Sequence, residues 1–378
     1  MIEAFPHHPN LVYLNHAAVG PWPQCTYAAV ERFAKENIQQ GAKAYPEWLK
    51  TERRLRERLC RLINAESIAT IALLKNTSEA LSVVAYGLDW QAGDNIVLGD
   101  HEFPSNRIVW ESLQDLGVET RVVRLDNIAQ AEDQLIEATD KRTRLLSSSS
   151  VHYASGLRID LAKLGEHCAE NRILFCVDAI QSLGAMPFDA QAIHADFVAA
   201  DGHKWMLGPE GLALFYCRPE HLESLKLYQY GWHMVKHAGD YDRQDWQAAG
   251  NAQRFECGSP NMLGITALES SLAHLQSVGV ETISKHITEH VDYLIETLQT
   301  ISNDISILSP TTPQRRAGIL TFRINGLDNR AMHQYLVEHD IICAHRGDGI
   351  RFSPHYYHSR AQLDQALNVL KAGIQEVD

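Results

Sequence analysis

Apolar runs of strand length alternate along the first 217 residues with longer segments of helical period. This alternation is typical of βα units, in which helices cover both faces of a parallel sheet. The helical segments begin after Thr77, Pro104 and Asp160, each near a Ser or Asp that can cap a helix. The pattern therefore predicts an open α/β sheet. Its predicted strands are residues 70–75, 95–100, 119–125, 143–151, 173–179, 196–201 and 212–217.

The pattern changes from about Asn261 onward. Two amphipathic helical stretches are followed by a strand at 318–324, a helix near 328–340 and a last strand near 349–354. A smaller α/β domain is therefore expected after the large one. The predicted division is a large domain at 21–260, a small C-terminal domain at 261–378 and an N-terminal segment, 1–20, that packs near the functional site.

Charge and composition narrow the function classes. The chain has 378 residues, with 47 acidic and 34 basic side chains and a formal net charge of −13. This charge repels a phosphate backbone and no basic cluster offsets it, so nucleic acid is not an expected partner. Neither a signal peptide nor an apolar run of about 18 residues is present, which predicts a soluble protein without a membrane partner. Seven cysteines, none spaced C-x-x-C, fit a reducing cytoplasm.

The stretch ADGHKWMLGPEG places a lysine directly after a predicted strand. The strand ends at Asp201, and the following loop holds Gly202, His203 and Lys204. Carboxyl ends of strands in an open α/β sheet face the ligand crevice, where a desolvated lysine has a lowered pKa. Its neutral amine can then form a Schiff base with a carbonyl. The alternative is an ordinary surface lysine, because lysine is seldom fully buried.

Two further strand ends carry candidate chemistry. Asp178 follows a continuous apolar run, and a carboxylate there either caps the next helix or pairs with the protonated nitrogen of a pyridoxal phosphate ring. Gln181, three residues later, could reach the phenolic oxygen of the same ring. Asn76, Thr77 and Ser78 lie at a strand-to-helix turn, where amides and hydroxyls either bind a phosphate or form an ordinary N-cap.

One sequence pattern points to a metal instead. His286 and His290 form H-x-x-E-H, which puts two imidazoles on one face of a helix, as in a class of zinc hydrolases. A zinc site needs a third ligand, and the surrounding helix has a polar, solvated pattern. We therefore predict a polar helix face and no metal.

Seven motifs occur in the order found in fold-type I pyridoxal-phosphate enzymes. They resemble the class V aminotransferase group, which contains cysteine desulfurases, isopenicillin N epimerase and kynureninase. The resemblance implies an α/β fold with a mostly parallel sheet in the large domain and a smaller C-terminal α/β domain. It also implies the cofactor pyridoxal 5'-phosphate and a cytoplasmic homodimer with shared active sites. The motifs are YLNHAAVGP, NTSEAL, HEFPSN, VDAIQSLG, DGHKWMLGPEG, FECGSPN and IRFSPHYYHS.

The same resemblance implies roles for single residues around the cofactor. Lys204 is expected to be the Schiff-base lysine and Asp178 the partner of the pyridine nitrogen, which makes both catalytic. Phe103 is expected to stack on the ring face, where desulfurases carry histidine. The other implied cofactor contacts are Gln181 on the phenolic oxygen, Thr77, Ser78 and His203 on the phosphate, and Ser259 on the phosphate of the neighbouring subunit.

The substrate implied by the resemblance is a small amino acid. Arg351 is expected to bind its carboxylate, a role that suits a planar guanidinium, with Asn15 and His16 beside it. Transamination is the first expectation for the reaction, and β-elimination by a cysteine or cystine C–S lyase or a desulfurase-like enzyme is the alternative. Epimerisation ranks below both. A cofactor-bound regulator is disfavoured because the chain keeps both Lys204 and Arg351.

Two departures from the family pattern bear on the chemistry. Many relatives have serine where this chain has Asp201, and an acidic group beside a phosphate is unfavourable unless it points away or is hydrogen-bonded. Desulfurases carry a nucleophilic cysteine on a mobile loop before the carboxylate-binding arginine. Here IICAHRGDGIRFS runs from strand to strand with almost no loop, and Cys343 lies inside an apolar run, so we expect no catalytic role for it.

Overall fold

The computed structural model describes residues 4–125 and 127–376. The strands are β1 Val12–Tyr13, β2 Ile71–Leu74, β3 Asn95–Gly99, β4 Glu119–Val123, β5 Thr143–Ser149, β6 Leu174–Asp178, β7 Phe197–Asp201, β8 Ala213–Cys217, β9 Ile305–Ile307, β10 Leu320–Ile324, β11 Ile341–Ile342, β12 Ala344–Arg346 and β13 Gly349–Phe352. The helices are α1 Gln24–Gln40, α2 Tyr45–Leu62, α3 Thr77–Gly87, α4 Ser105–Glu111, α5 Ala131–Glu137, α6 Leu161–Asn171, α7 Met262–Val278, α8 Val280–Ile301, α9 Asn329–Glu338 and α10 Arg360–Glu376.

The large sheet has the order β2-β8-β7-β6-β5-β3-β4 and contains all seven strands predicted for it. Five strands, β7-β6-β5-β3-β4, run parallel, whereas β8 is antiparallel to both of its neighbours. The segment 202–212 between β7 and β8 is too short for the helical crossover that a parallel pair needs. The chain therefore turns back beside β7, and the loop that makes this turn carries Lys204.

Alternate residues of the central strands pack on opposite faces of the large sheet. Ile96 and Leu98 lie in the core on the side of α3 and α4, with Trp110, whereas Val97 lies in the core of the other face. Both faces are buried, because each is covered by helices. This arrangement explains why the strands read as continuous apolar runs, and it confirms the predicted mostly parallel α/β fold.

The C-terminal part has a separate antiparallel sheet of order β12-β13-β10-β9. Its core, which includes Leu294, Phe322 and Leu367, is covered by α8, α9 and α10. The strand β1 of the N-terminal segment pairs in parallel with β11 of this part. The helix α7 packs against α1 and α2, two helices that were not among the predicted segments.

The division at residue 260 stays a prediction. No helix within the described residues is long and apolar enough to cross a membrane.

Candidate active site

A cavity of about 250 Å³ lies at the carboxyl ends of β6 and β7. The N-terminal segment and the β12–β13 hairpin form part of its wall, through Ala17, Ala18 and Arg346. This is the edge of the sheet where ligands are expected in open α/β folds. The structure brings together here most of the residues that the sequence singled out. Those that line the cavity are Thr77, Phe103, Asp178, Gln181, His203, Lys204 and Arg351.

Lys204 lies in this cavity and is only 8% exposed. Burial lowers the pKa of its ammonium to about 8, and the carboxylate of Asp178 partly opposes that shift. The loop is held in place by Gly20, whose N–H donates to His203 O at 2.6 Å. A Cβ at Gly20 would lie 2.2 Å from Lys204 O, so only glycine permits this close approach. The side chain of Lys204 is therefore a positioned, partly neutral amine and not a solvated surface lysine.

Asp178 ends β6 and is 2% exposed. Its Oδ1 accepts a hydrogen bond from the N–H of Ile180 at 3.0 Å. Burial raises the pKa of the carboxyl to about 6, while that hydrogen bond and Lys204 act in the opposite direction. Among the described residues no hydrogen bond reaches its second oxygen. A buried carboxylate that faces a cavity in this way is suited to a cationic ligand group.

Gln181 is fixed from both ends of its amide. Its Nε2 donates to Ala17 O at 3.0 Å, and its Oε1 accepts from the indole N–H of Trp205 at 2.8 Å. One of its two amide hydrogens stays available for a ligand. The residue thus ties the N-terminal segment to the lysine loop as well as lining the cavity.

The helix α3 begins at the phosphate end predicted for the cavity. Asn76 caps it, with its side chain accepting from Glu79 N–H at 2.8 Å. The hydroxyl of Ser78 donates to Ser105 Oγ at 2.9 Å and does not itself appear in the cavity lining. His203 lines the cavity, and its buried Nδ1 has no hydrogen-bond partner among the described residues. A buried ring nitrogen without a partner is what an additional ligand would satisfy.

The loop that carries Phe103 is anchored by a glutamate that the sequence reasoning missed. The Phe103 ring centre lies 5.5 Å from Lys204 Nζ. Next to it, Glu102 is fully buried and accepts from Ser149 N–H at 2.8 Å, from the Ser149 hydroxyl and from Asn106 Nδ2 at 2.8 Å. Burial raises the pKa of Glu102 to about 7. The sequence feature that could have revealed Glu102 is its position inside the motif HEFPSN, directly beside the predicted stacking residue.

Arg351 is a buried cation without a carboxylate partner among the described residues. It is 1% exposed, and burial lowers its pKa to about 9. One guanidinium nitrogen donates to Tyr153 O at 2.5 Å and the other to Asn15 Oδ1 at 3.3 Å, whereas Nε has no partner. Leaving a guanidinium buried and unpaired is costly, so the arrangement fits an anionic ligand group.

A second arginine, Arg346, lines the same cavity from the β12–β13 hairpin and also lowers the pKa of Arg351. Sequence reasoning missed it, although it stands five residues before Arg351 across a short turn. Cys343 precedes this hairpin, is 5% exposed, and has its thiol pKa raised to about 12 by burial. The predicted near-absence of a loop is confirmed, since only residues 347–348 separate β12 from β13.

Four predicted site residues lie outside the cavity lining: Ser78, Asn15, His16 and Ser259. His16 is fully buried, and its ring nitrogens are hydrogen-bonded to Ser353 O at 3.0 Å and to the Tyr357 hydroxyl at 2.8 Å. Its neighbour Asn15 contacts Arg351, so a direct substrate contact stays a prediction for both. Ser259 is exposed and lines a different cavity of the same chain. Its predicted reach into a neighbouring subunit also stays a prediction.

The only group with metal-ligand geometry among the described residues does not involve the H-x-x-E-H pattern. It consists of Glu52, His233 and Glu256, whose ligand atoms lie within 4.8 Å of one another. Arg56 donates to both carboxylates, at 2.6 Å to Glu52 and at 2.6 and 2.7 Å to Glu256. The guanidinium therefore already occupies the place of a cation.

The cavity fits pyridoxal phosphate on several independent features. Asp178 offers a carboxylate oxygen for a pyridinium nitrogen, Lys204 a partly neutral amine for a carbonyl, and Phe103 an aromatic ring beside that amine. The unpartnered nitrogen of His203 lies at the phosphate end, near the N-terminus of α3. The unpartnered nitrogen of Arg351 lies at the substrate end.

Comparison with known proteins agrees with this chemistry. The chain is 32% identical over 376 residues to a probable cysteine desulfurase of Methanothermobacter thermautotrophicus, in a match that covers 93% of this chain and 92% of the relative. The cystine C-S lyase C-DES superposes with a TM-score of 0.89 at 25% identity, covering 97% of this chain and 99% of that one.

The fold is shared more widely. The cysteine desulfurase CsdA of Escherichia coli superposes with a TM-score of 0.89 at 22% identity, covering 100% of this chain and 98% of that one. The sequence model of the family described as aminotransferase class-V matches residues 12–369, which is nearly the whole chain. This chain therefore belongs to the class-V aminotransferase family of enzymes, and its cofactor is pyridoxal 5'-phosphate.

Proposed function

We propose that the enzyme removes the β-substituent of a cysteine-like amino acid, with Lys204 as the catalytic base and Arg351 as the carboxylate anchor. The observation that carries this proposal is the buried, unpaired guanidinium of Arg351 in one cavity with the buried amine of Lys204. A group that must satisfy Arg351 and lie beside Lys204 is an α-amino carboxylate. The sulfur substrate is supported by the names of the relatives, a cysteine desulfurase and a cystine C-S lyase.

The residues hold the reacting parts in place as follows. Arg351 binds the substrate carboxylate, with Tyr153 O and Asn15 orienting the guanidinium. Phe103 would contact the ring of the cofactor, and Gln181 would offer its remaining amide hydrogen to the phenolic oxygen. When bound, the cofactor withdraws electrons from the α-carbon of the substrate.

Lys204 moves the proton. Its lowered pKa leaves a useful fraction of neutral amine near pH 8, and this amine takes the α-proton of the substrate. Loss of that proton allows the bond between the β-carbon and sulfur to break, and the sulfur leaves with its electron pair. For cysteine and water the balanced products are pyruvate, ammonia and hydrogen sulfide.

A persulfide on the enzyme is not part of the proposal. A thiol must be exposed and activated to attack sulfur, whereas Cys343 is buried with a raised pKa. No cysteine is among the residues that line the cavity. Transamination, the first expectation from the sequence, uses the same residues but leaves the bond between the β-carbon and sulfur intact and passes the amino group to a keto-acid acceptor.

Product analysis tests the proposal. Purified enzyme is incubated with cysteine, cystine and alanine, and pyruvate, ammonia and sulfide are measured with and without a keto-acid acceptor. We expect pyruvate and ammonia from the sulfur substrates in equal amounts without an acceptor. Turnover of all three that depends on the acceptor would instead identify an aminotransferase. Borohydride should attach the cofactor to Lys204, and Lys204→Arg is the control that lacks the label.

We further propose a homodimer with shared active sites that works in a reducing cytoplasm. Ser259 is exposed and does not line the cavity of its own chain, which is compatible with a contact across a subunit boundary. All seven cysteines are free thiols, which supports a reducing compartment.

A further inference from the structure

Asp201 places a carboxylate at the N-terminus of α3. Its Oδ2 accepts from the Thr77 N–H at 3.0 Å and from the Thr77 hydroxyl at 3.2 Å. In return, the Asp201 N–H donates to Thr77 Oγ1 at 3.1 Å. Both residues are buried, at 7% and 4% exposure. These three hydrogen bonds join the end of β7 to the start of α3.

This carboxylate competes with a phosphate for the same helix end. The first amides of a helix lie at the positive end of its dipole and are the donors a phosphate would use, but in α3 the Glu79 N–H already donates to Asn76. The amide and the hydroxyl of Thr77 are already used by the chain's own anion. Of the predicted phosphate ligands, Ser78 and His203 are the two that do not donate a hydrogen bond to Asp201.

The charge of Asp201 affects other ionisable groups of the site. Its Oδ1 lies 3.8 Å from the unpartnered Nδ1 of His203. It raises the pKa of both Lys204 and Asp178, although burial and other groups contribute more to each. A phosphate at the N-terminus of α3 would lie beside this negative charge, and two like charges in a buried site repel.

We propose that Asp201 is a resident anion that holds the phosphate end of the site in shape before the cofactor binds and weakens the affinity for the cofactor's phosphate. The proposal rests on the proposed function and on the placement of the cofactor's phosphate near Thr77, Ser78 and His203 that the family resemblance implies. It gives a physical role to a buried carboxylate that the proposed mechanism does not use. A small hydroxyl there would leave the Thr77 amide to the phosphate and add no charge.

Ligand binding to the apo-protein tests this role. Dissociation constants of pyridoxal phosphate, pyridoxal and inorganic phosphate are measured by tryptophan fluorescence for wild type, Asp201→Asn and Asp201→Ser. We expect both variants to bind pyridoxal phosphate and inorganic phosphate roughly tenfold more tightly, since a neighbouring negative charge is removed. Pyridoxal, which lacks the phosphate, should bind equally to all three proteins. The apo form of Asp201→Ser should melt roughly 1–3 °C below wild type because Thr77 loses its acceptor.

Asp196→Asn is the matched control. Asp196 is equally buried and precedes the same strand, but it accepts from Phe175 N–H and pairs with Arg218 at the opposite end of the strand. Its variant should not change the preference for phosphate. Unchanged or weaker phosphate binding in the Asp201 variants, or equal tightening of pyridoxal, would overturn the role of Asp201 and leave the proposed function intact. A wild-type protein that binds neither pyridoxal phosphate nor pyridoxal would overturn both.

Discussion

At the scale of single residues, replacing the proposed carboxylate anchor Arg351 distinguishes an effect on substrate binding from an effect on the chemical step. Replacing Arg351 with alanine removes a charge-assisted anchor, so KM should rise roughly a hundredfold with a much smaller change in kcat. Steady-state kinetics with the substrate identified by product analysis measures the effect. Arg351→Lys keeps the charge without the planar fork and should recover only part of the loss. An unchanged KM in Arg351→Ala would remove the carboxylate anchor from the proposal.

For Cys343 we expect the opposite result, namely that its replacement leaves catalysis nearly unchanged. Because its thiol is buried and its pKa is raised, Cys343→Ala should leave kcat and KM nearly unchanged. The expected cost is about 1 kcal/mol of stability for the small loss of packing, measured by denaturant unfolding. Loss of turnover with the fold and cofactor band intact, together with a persulfide trapped on Cys343, would establish a desulfurase mechanism instead.

Lys204 should react as an amine of unusually low pKa. Burial lowers the pKa from 10.5 to about 8, so the neutral amine is present at lower pH than on a surface lysine. The rate at which the apo-protein takes up pyridoxal and is fixed by borohydride should rise with pH, with its midpoint near pH 8 and a plateau above it. Asp178 raises this pKa, so Asp178→Asn should move the midpoint to lower pH. A midpoint near 10 would contradict the buried placement.

Sequence reasoning placed Lys204 and Asp178 at the ligand edge of the sheet because each lies at the end of a readable apolar strand, and their catalytic roles stay predictions. Lys204 follows β7, Asp178 ends β6, and both line the cavity. It missed Glu102 and Arg346, because their place depends on contacts with residues distant in the chain. It also gave no indication that both nitrogens of His16 would be used inside the protein.

At the scale of elements, the loop before α4 depends on a buried glutamate. Replacing Glu102 with alanine leaves Asn106 and the backbone N–H of Ser149 without their acceptor, which should cost roughly 2–4 kcal/mol of stability. The circular dichroism of the bound cofactor should also change, because Phe103 loses its support. Glu111→Ala, on the exposed face of α4, is the control and should cost less than about 0.5 kcal/mol. An unchanged spectrum would contradict the link to Phe103.

The strand order shows what periodicity can predict at this scale. Apolar runs located all seven strands of the large sheet, because both faces of that sheet are buried. They could not show the reversal of β8, since the direction of a strand depends on the length and path of its connection. The strands β1 and β11 could not be predicted either, because two residues are too few to show a periodic alternation of apolar and polar side chains.

At the scale of the whole molecule, buried histidines make the fold sensitive to acid. Burial lowers the pKa of His152 and His355 to about 3 and of His358 to about 4, and that of His16 falls well below its usual value. In the unfolded chain they take up protons near pH 6.5, so the stability they contribute is present above that pH and is lost as the pH falls.

The raised carboxyl pKa values of Glu102 and Asp178 act in the opposite direction. Four histidines outnumber these two carboxyls, so the free energy of unfolding should fall by roughly 2–3 kcal/mol per pH unit between pH 6 and 5. Urea unfolding at several pH values measures this slope. His152→Asn should reduce it by roughly 1 kcal/mol per pH unit. A flat profile over this interval would contradict the buried, neutral state of the histidines.

The proposed shared site can be tested by mixing two inactive variants. Lys204→Ala lacks the base, and Ser259→Asp places a negative charge where the neighbouring phosphate is expected. If Ser259 acts across the subunit boundary, a hybrid dimer contains one complete site and regains activity after subunit exchange. Sedimentation should show a dimer throughout. A hybrid that stays inactive, or a fully active monomer, would contradict the shared site.

The N-terminal segment also determines when the active site can form during synthesis. Asn15 contacts Arg351, β1 pairs with β11, and Ala17 is held by Gln181. The segment leaves the ribosome before its partners in the C-terminal part, which are made more than 300 residues later. The large sheet can assemble while the chain is still growing. The cavity wall cannot close until β11 and Arg351 have been made, so a nascent chain stalled before β11 would lack this part of the site.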